Sequence, residues 1–218
     1  MSGVFTGLPV GLVATFLALG SLSGCQSETP KSGKDNAPQA GRQGTASAEQ
    51  PLSSSGGEPM KIEVTSTAFK QGERIGKRHT GEGEDLSPPL AWKNLPEGTK
   101  ELALICDDPD APTPEPWVHW VIYKLPPTLQ GLPEGVPRDA KLAEPAGALQ
   151  GVNSWESDNL GYRGPMPPKG HGQHRYFFRL YALKTALEAR PGMDKKALLK
   201  AMSGQVLGEG ELMGTYSR

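Results

Sequence analysis

Three short stretches bring together side chains that could do chemistry on an anion, a metal or a proton. Asp107, Asp108 and Asp110 lie in Asp107-Asp-Pro-Asp-Ala-Pro-Thr-Pro-Glu-Pro116, whose four prolines make it stiff, extended and free of helix. Trp117-Val-His119-Trp120 opens an apolar run. The third stretch, Gly161 to Tyr176, supplies His171, His174 and Tyr176 and runs straight into Phe177-Phe-Arg-Leu-Tyr-Ala-Leu183. Its first half is too rich in Gly and Pro for regular helix or a central strand, so it must follow a turned path at the surface. The second half alternates. His174, Tyr176, Phe178 and Leu180 share one face, and Arg175, Phe177, Arg179 and Tyr181 share the other. An imidazole and a phenol therefore stand side by side where a shaped loop feeds a strand, which suits a pocket at the mouth of a sheet.

A carboxylate, two imidazoles and a phenol around one pocket allow several chemistries. With the carboxylate orienting the imidazoles, His and Tyr hydrogens could converge on an anion such as phosphate. Two His and one Asp could instead hold a metal in a facial triad. His could also act as general acid–base with Asp as orienter, giving a hydrolase. A protein-interaction module, such as an inhibitor of a partner protein, could use the same pocket or its rim. His79 and His171 read as solvated or hydrogen-bonded residues. His119 and His174 differ, because each opens an alternating strand where an exposed imidazole serves no packing role. Trp92, Trp120, Phe177 and Phe178 are expected in the core, and Trp117 and Tyr162, inside constrained loops, at a pocket rim. There is no Gly-x-Ser-x-Gly, no phosphate loop and no dinucleotide fingerprint.

The elements that must hold these groups are short strands. Met60–Phe69 alternates modestly and turns at Gln71-Gly72, and Arg74–Thr80 reads as a returning strand. Glu101–Cys106 and Val118–Lys124 are strong strand candidates, and a short strand could close the chain within Glu211–Arg218. One helix is expected after Asp194 as cap, with Leu198, Leu199, Met202 and Val206 as its apolar stripe, weakened or ended at Gly204. Many short strands and turns with one helix predict a mainly β fold, an antiparallel β-sandwich with helical additions.

Outside this domain the chain changes character. Residues 4–22 carry no charge and lead into Leu22-Ser-Gly-Cys25, which reads as an export signal ending in a lipobox with Cys25 as the acylated residue. Residues 26–59 are polar, Gly- and Pro-rich, and read as a disordered tether. The expected organisation is a signal over 1–25, the tether over 26–59 and one folded domain over 60–218. The 23 basic and 24 acidic residues give a net charge of −1, and no basic stripe with interleaved aromatics points to nucleic acid. With Cys25 acylated, only Cys106 remains; it lies in an apolar run and reads as buried, so no internal disulfide is expected.

Asp108-Pro-Asp-Ala-Pro112, Trp117-Val-His-Trp120 and Gly164-Pro-Met-Pro-Pro-Lys-Gly-His-Gly-Gln-His-Arg-Tyr176 together resemble the phosphatidylethanolamine-binding protein family. Leu86-Ser-Pro-Pro-Leu-Ala-Trp92 and Glu211-Leu-Met-Gly-Thr-Tyr-Ser-Arg218 look like its bacterial, Raf kinase inhibitor-like branch. The resemblance covers Met60–Arg218. It implies two antiparallel sheets with peripheral helices and a small pocket for a phosphate or phospholipid head group. It puts Asp108, His119, His174 and Tyr176 in that pocket, with Asp110, Ala111 and Pro112 shaping one loop. Trp117 falls at the rim, and Pro167 and Pro168 on the facing loop. Eukaryotic members often carry two consecutive His where this chain has Val118-His119.

The resulting expectation is a non-enzymatic binder of a small anionic ligand, without cofactor or metal. It would be held to the bacterial envelope by a lipid on Cys25, at the outer membrane where a cell has two, with homodimerisation left open. His119 or His174 is expected to be positively charged beside Asp108 when the anion is bound, and removing Asp108 to disturb the fold little because Pro109 and Pro112 hold its loop.

Overall fold

The computed structural model describes residues 59–156 and 158–218. The signal, Cys25 and all but the last residue of the tether lie outside the described residues. Among the described residues nine strands form two sheets. β1 (Met60–Lys61), β4 (Glu101–Asp108), β5 (Trp117–Leu125), β7 (Leu149–Gln150), β8 (His174–Leu183) and β9 (Val206–Tyr216) make the larger, in the order β1-β9-β8-β4-β5-β7. β2 (Glu63–Thr65), β3 (Leu90–Lys93) and β6 (Gly131–Leu132) make the smaller, in the order β2-β3-β6. All pairings are antiparallel except β1 with β9. The two-sheet, mainly β class read from the sequence is the class observed.

β4 shows why its sequence is an unbroken apolar run. Leu102, Leu104 and Cys106 pack into the core shared with Ile62, Val64 and Trp92 from the segment of the smaller sheet. Ala103 and Ile105 face the opposite side, where Leu198 and Met202 of α1 (Lys195–Met202) cover them. A strand buried on both faces has no polar face to alternate with. Cys106 is buried and free, as its setting suggested. β9 passes under the crossing segment 62–75, and its glycines permit this: a Cβ on Gly214 would lie 2.6 Å from Ile75 Cγ1.

Several local expectations need correction. Arg74–Thr80 does not return as a strand; Arg74 makes only an isolated bridge to Thr215, and Lys77–His79 is a 3-10 turn. Asp194 does cap α1, its carboxylate accepting from Ala197 N at 2.7 Å. The expected apolar stripe, however, breaks: Leu199 is exposed, and Val206 belongs to β9. The helix ends at Met202, before Gly204 takes a left-handed φ of 70°. The final strand starts earlier than expected, at Val206, because it pairs with the whole length of β8.

Candidate ligand-binding site

At one end of the larger sheet lies a cavity of about 210 Å³ lined by residues from β4, β5, β8 and two loops. Asp108, His119, His174 and Tyr176 converge there with Ala111, Pro112, Trp117, Pro167 and Pro168. Trp155, Met166 and Thr113 complete the lining. Asp110 is not part of it. Its carboxylate accepts from the backbone N, Nε and Nη2 of Arg175 at 2.7–2.9 Å, which ties the Pro-rich loop to the start of β8. The Arg175 hydrogen bond holds Asp110 below its ordinary carboxylate range.

Each polar group has a structural reason for its place. Asp108 is the last residue of β4 and shares the inward face of Leu102, Leu104 and Cys106. His174 and Tyr176 face the same side because β8 alternates, with Phe178 and Leu180 next in the core. His119 arrives differently. The register of β4 against β5 jumps from Cys106↔Trp120 to Asp107↔Val118, so His119 is the extra residue of a β-bulge. A bulge re-aims a side chain that plain alternation would send elsewhere. Here Trp120 packs in the inter-sheet core while its neighbour His119 lines the cavity on the same side.

Hydrogen bonds place a ring hydrogen on Nδ1 of both imidazoles. His119 Nδ1 lies 2.6 Å from the carbonyl oxygen of Arg163, which only accepts, so the ring carries its hydrogen on Nδ1. Its ring stands edge-on to Tyr176 at 5.0 Å and to Trp155 at 4.9 Å. Burial pushes its pKa down to about 4, against the partial opposition of the Arg163 carbonyl and the Asp108 charge. Without a ligand His119 is therefore neutral at neutral pH. His174 Nδ1 donates to Asp108 Oδ2 at 2.7 Å, and its Nε2 lies 2.8 Å from Nδ1 of His171. Both of its nitrogens are thus engaged, and His171, read as a bystander, caps the outer one. Both site imidazoles are buried rather than exposed, at 2% for His119 and 1% for His174.

Tyr176 stands out because it is 1% exposed and its hydroxyl has no hydrogen-bond partner among the described residues. Burial, and then the Asp108 charge, raise the phenol far above its ordinary value, so the hydroxyl keeps its hydrogen and can donate it. Buried hydroxyls are nearly always paired, and an orphan on a residue that lines a cavity points to a ligand there.

The loop walls are built by backbone anchoring. Asp85 accepts from Gly164 N at 2.6 Å and pairs with Arg138 and Arg163. Gly164 lies so close to the 3-10 turn that a Cβ there would be 2.3 Å from the His79 carbonyl oxygen. The wall formed by Met166, Pro167 and Pro168 starts from this contact. Trp155 is placed by a turn around Asn153, whose Oδ1 accepts from Trp155 N, and by two bonds between Ser154 and Val118. Sequence reading missed Trp155 and Met166; an exposed Met and a Trp inside Gly/Pro-rich segments were the available signals. Tyr162, expected at the rim, is buried, with its hydroxyl donating to the His79 carbonyl. Phe177, expected in the core, is half-buried beneath Arg175 and Arg179. His79 is buried with Nδ1 on the Leu86 carbonyl, as a hydrogen-bonded residue should be.

Among the described residues no three His, Cys, Asp or Glu side chains converge with metal-ligand geometry, and no helix is long and apolar enough to cross a membrane.

Comparison with known proteins agrees with this architecture. Residues 65–217 match the family model described as phosphatidylethanolamine-binding protein. A UPF0098 protein of Methanothermobacter thermautotrophicus is 54% identical over 151 residues, spanning 69% of this chain and 95% of the relative. A UPF0098 protein of Aquifex aeolicus is 44% identical over 168 residues, spanning 77% and 94%. Among solved structures, E. coli YbcL, described as a member of the mammalian PEBP family, superposes with a TM-score of 0.67 at 34% identity, covering 72% of this chain and 98% of YbcL. A PEBP homologue from Chlamydia trachomatis gives 0.64 at 37% identity, with the same coverage.

Proposed function

The chain belongs to the phosphatidylethanolamine-binding protein family, and from that premise we propose that its cavity binds a small anion, a phosphate or a phosphate-bearing head group, without catalysing a reaction. The observation that carries this reading is the buried, unpartnered hydroxyl of Tyr176, a residue that lines a cavity of about 210 Å³. A volume of that order suits a phosphate-sized group, and Trp117, Trp155 and the prolines give it apolar walls. The phenol would donate directly to an anionic oxygen, a hydrogen bond strengthened by the low local dielectric.

Tyr176→Phe tests this with two readouts that move in opposite senses. Phosphate affinity by titration calorimetry should fall about ten- to a hundredfold, as expected for one lost charge-assisted hydrogen bond of about 1.5–3 kcal/mol. Stability of the ligand-free domain should hold or rise, because a buried hydroxyl without a partner is removed. Unchanged affinity for phosphate in the variant would refute the assignment.

The same proposal places the domain at the bacterial envelope through a lipid on Cys25, supported by the small-residue run Leu22-Ser-Gly-Cys25 after an uncharged apolar segment. Cys25→Ala should leave an unprocessed precursor or release the domain from membranes in a fractionation. Intact mass showing a cleaved but unacylated wild-type N-terminus would remove the anchor.

A further inference from the structure

The donors and acceptors facing the cavity are unbalanced in a way that limits which anion can sit there. His119 spends its one ring hydrogen on the Arg163 carbonyl at 2.6 Å, and Nε2 has no partner among the described residues. In this state Nε2 can only accept. His174 has no free nitrogen, since Asp108 and His171 occupy both. Asp108 is a buried carboxylate whose oxygens take Asp110 N at 2.8 Å and His174 Nδ1 at 2.7 Å. Tyr176 carries the one side-chain hydrogen on these four residues without an acceptor at full hydrogen-bonding geometry, and the Asp108 carboxylate lies beside it. The ionisable groups around His119 are Asp108 and Asp107 of β4, Asp85 of the loop before β3, and Tyr176 and His174 of β8; Arg163 meets it through its carbonyl. No Lys or Arg lines the cavity.

A fully ionised anion would meet an acceptor lone pair at His119 and a carboxylate at Asp108, both repulsive. An anion that still carries an acidic hydrogen meets a matched pair, taking the Tyr176 hydrogen on one oxygen and giving its own to Nε2 from another. Resting on the anion-binding function, we infer that the cavity selects anions bearing one acidic hydrogen, namely inorganic phosphate or a phosphate monoester as the monoanion, over sulfate and phosphodiesters. The hydrogen could equally rest on Nε2 facing a dianion; the complex contains the same number of protons either way. Sulfate and a phosphodiester have none to bring near neutral pH, so each must draw a proton from solvent onto an imidazole whose burial opposes it.

The test is titration calorimetry of the folded protein with four probes: inorganic phosphate, glycerol phosphate, sulfate and glycerophosphoethanolamine. Phosphate or glycerol phosphate should bind about a hundredfold more tightly than sulfate or the diester. Above the second ionisation of a monoester, near pH 6, affinity should fall about tenfold per pH unit, with one proton per complex taken up across buffers of different ionisation enthalpy. Whichever of phosphate and glycerol phosphate binds more tightly distinguishes a free-ion ligand from an esterified one. His119→Gln, which can turn an amide donor toward the cavity, should narrow the gap between phosphate and sulfate. Comparison of the wild-type affinities decides the question even where that variant fails to fold. Equal binding of sulfate and phosphate without proton uptake would overturn this selectivity and leave anion binding intact. Tighter binding of the diester would also overturn it, its ammonium then supplying the hydrogen. Failure of all four probes would overturn both.

Discussion

Acidification should destabilise the domain by about 3 kcal/mol through His119 alone. In the unfolded chain this imidazole titrates near 6.5; in the folded domain burial lowers it to about 4. As pH falls below 6.5 the unfolded chain takes up a proton that the folded state refuses. Unfolding is then favoured progressively until about pH 4, where the folded state protonates too and the loss levels off. At about 1.4 kcal/mol per pKa unit, the shift corresponds to roughly 3 kcal/mol. Urea denaturation of the wild type and His119→Gln at a series of pH values isolates this contribution, because the carboxylates titrate in both proteins. The wild type should lose about 3 kcal/mol more than the variant across that window. Parallel stability–pH curves for the two proteins would mean that His119 is not held neutral by burial. A saturating concentration of an anion that brings a proton should shrink the difference.

Asp108→Ala should be the most damaging substitution in the site, contrary to what its proline-rich surroundings suggested. Asp108 is 3% exposed and accepts from Asp110 N and from His174 Nδ1. Truncation leaves two donors without acceptors at the closed end of β4. At about 1–3 kcal/mol for each orphaned group, the expected loss is roughly 2–6 kcal/mol. Asp108→Asn keeps one acceptor oxygen and should recover about half. The His174–His171 contact should loosen in Asp108→Ala, since nothing then orients the His174 ring, and the exchange of the His174 ring hydrogen measured by NMR should quicken. A stable Asp108→Ala domain with an unchanged His174 signal would show that Pro109 and Pro112 do hold the loop unaided.

His171 acquires meaning from the same chain of contacts. On its own in a Gly-flanked turn it had the features of a solvated residue. In three dimensions its Nδ1 stands 2.8 Å from His174 Nε2, so a carboxylate and two imidazoles run in series from the sheet to the surface. The outer nitrogen of His174 is thereby kept from the ligand unless His171 turns away.

What the amino-acid order determined by itself is mostly local. Alternation from His174 to Leu180 fixed which side chains share a face, and it put His174 and Tyr176 beside Phe178. The apolar run Leu102–Cys106 marked a strand, the prolines of 109–116 kept that loop from becoming helix, and Asp194 marked the start of α1. The ordered motifs from Asp108 to Tyr176 also carried the family, because together they are far more specific than any periodicity.

Only the tertiary structure decided the rest. His119 and Trp120 are adjacent, and strict alternation sends them to opposite faces; a bulge created by pairing with β4 puts both inside. Trp155 reaches the cavity through bonds to Asn153 and Val118 that no local pattern encodes. Arg74–Thr80 lost its strand and Val206 joined one according to the partners available alongside β9. Above all, the protonation states of the site depend on distances between groups far apart in the chain, His119 with Arg163 and Asp108 with His174. A sequence specifies which groups can titrate, but burial and hydrogen-bond partners determine which of them hold a proton.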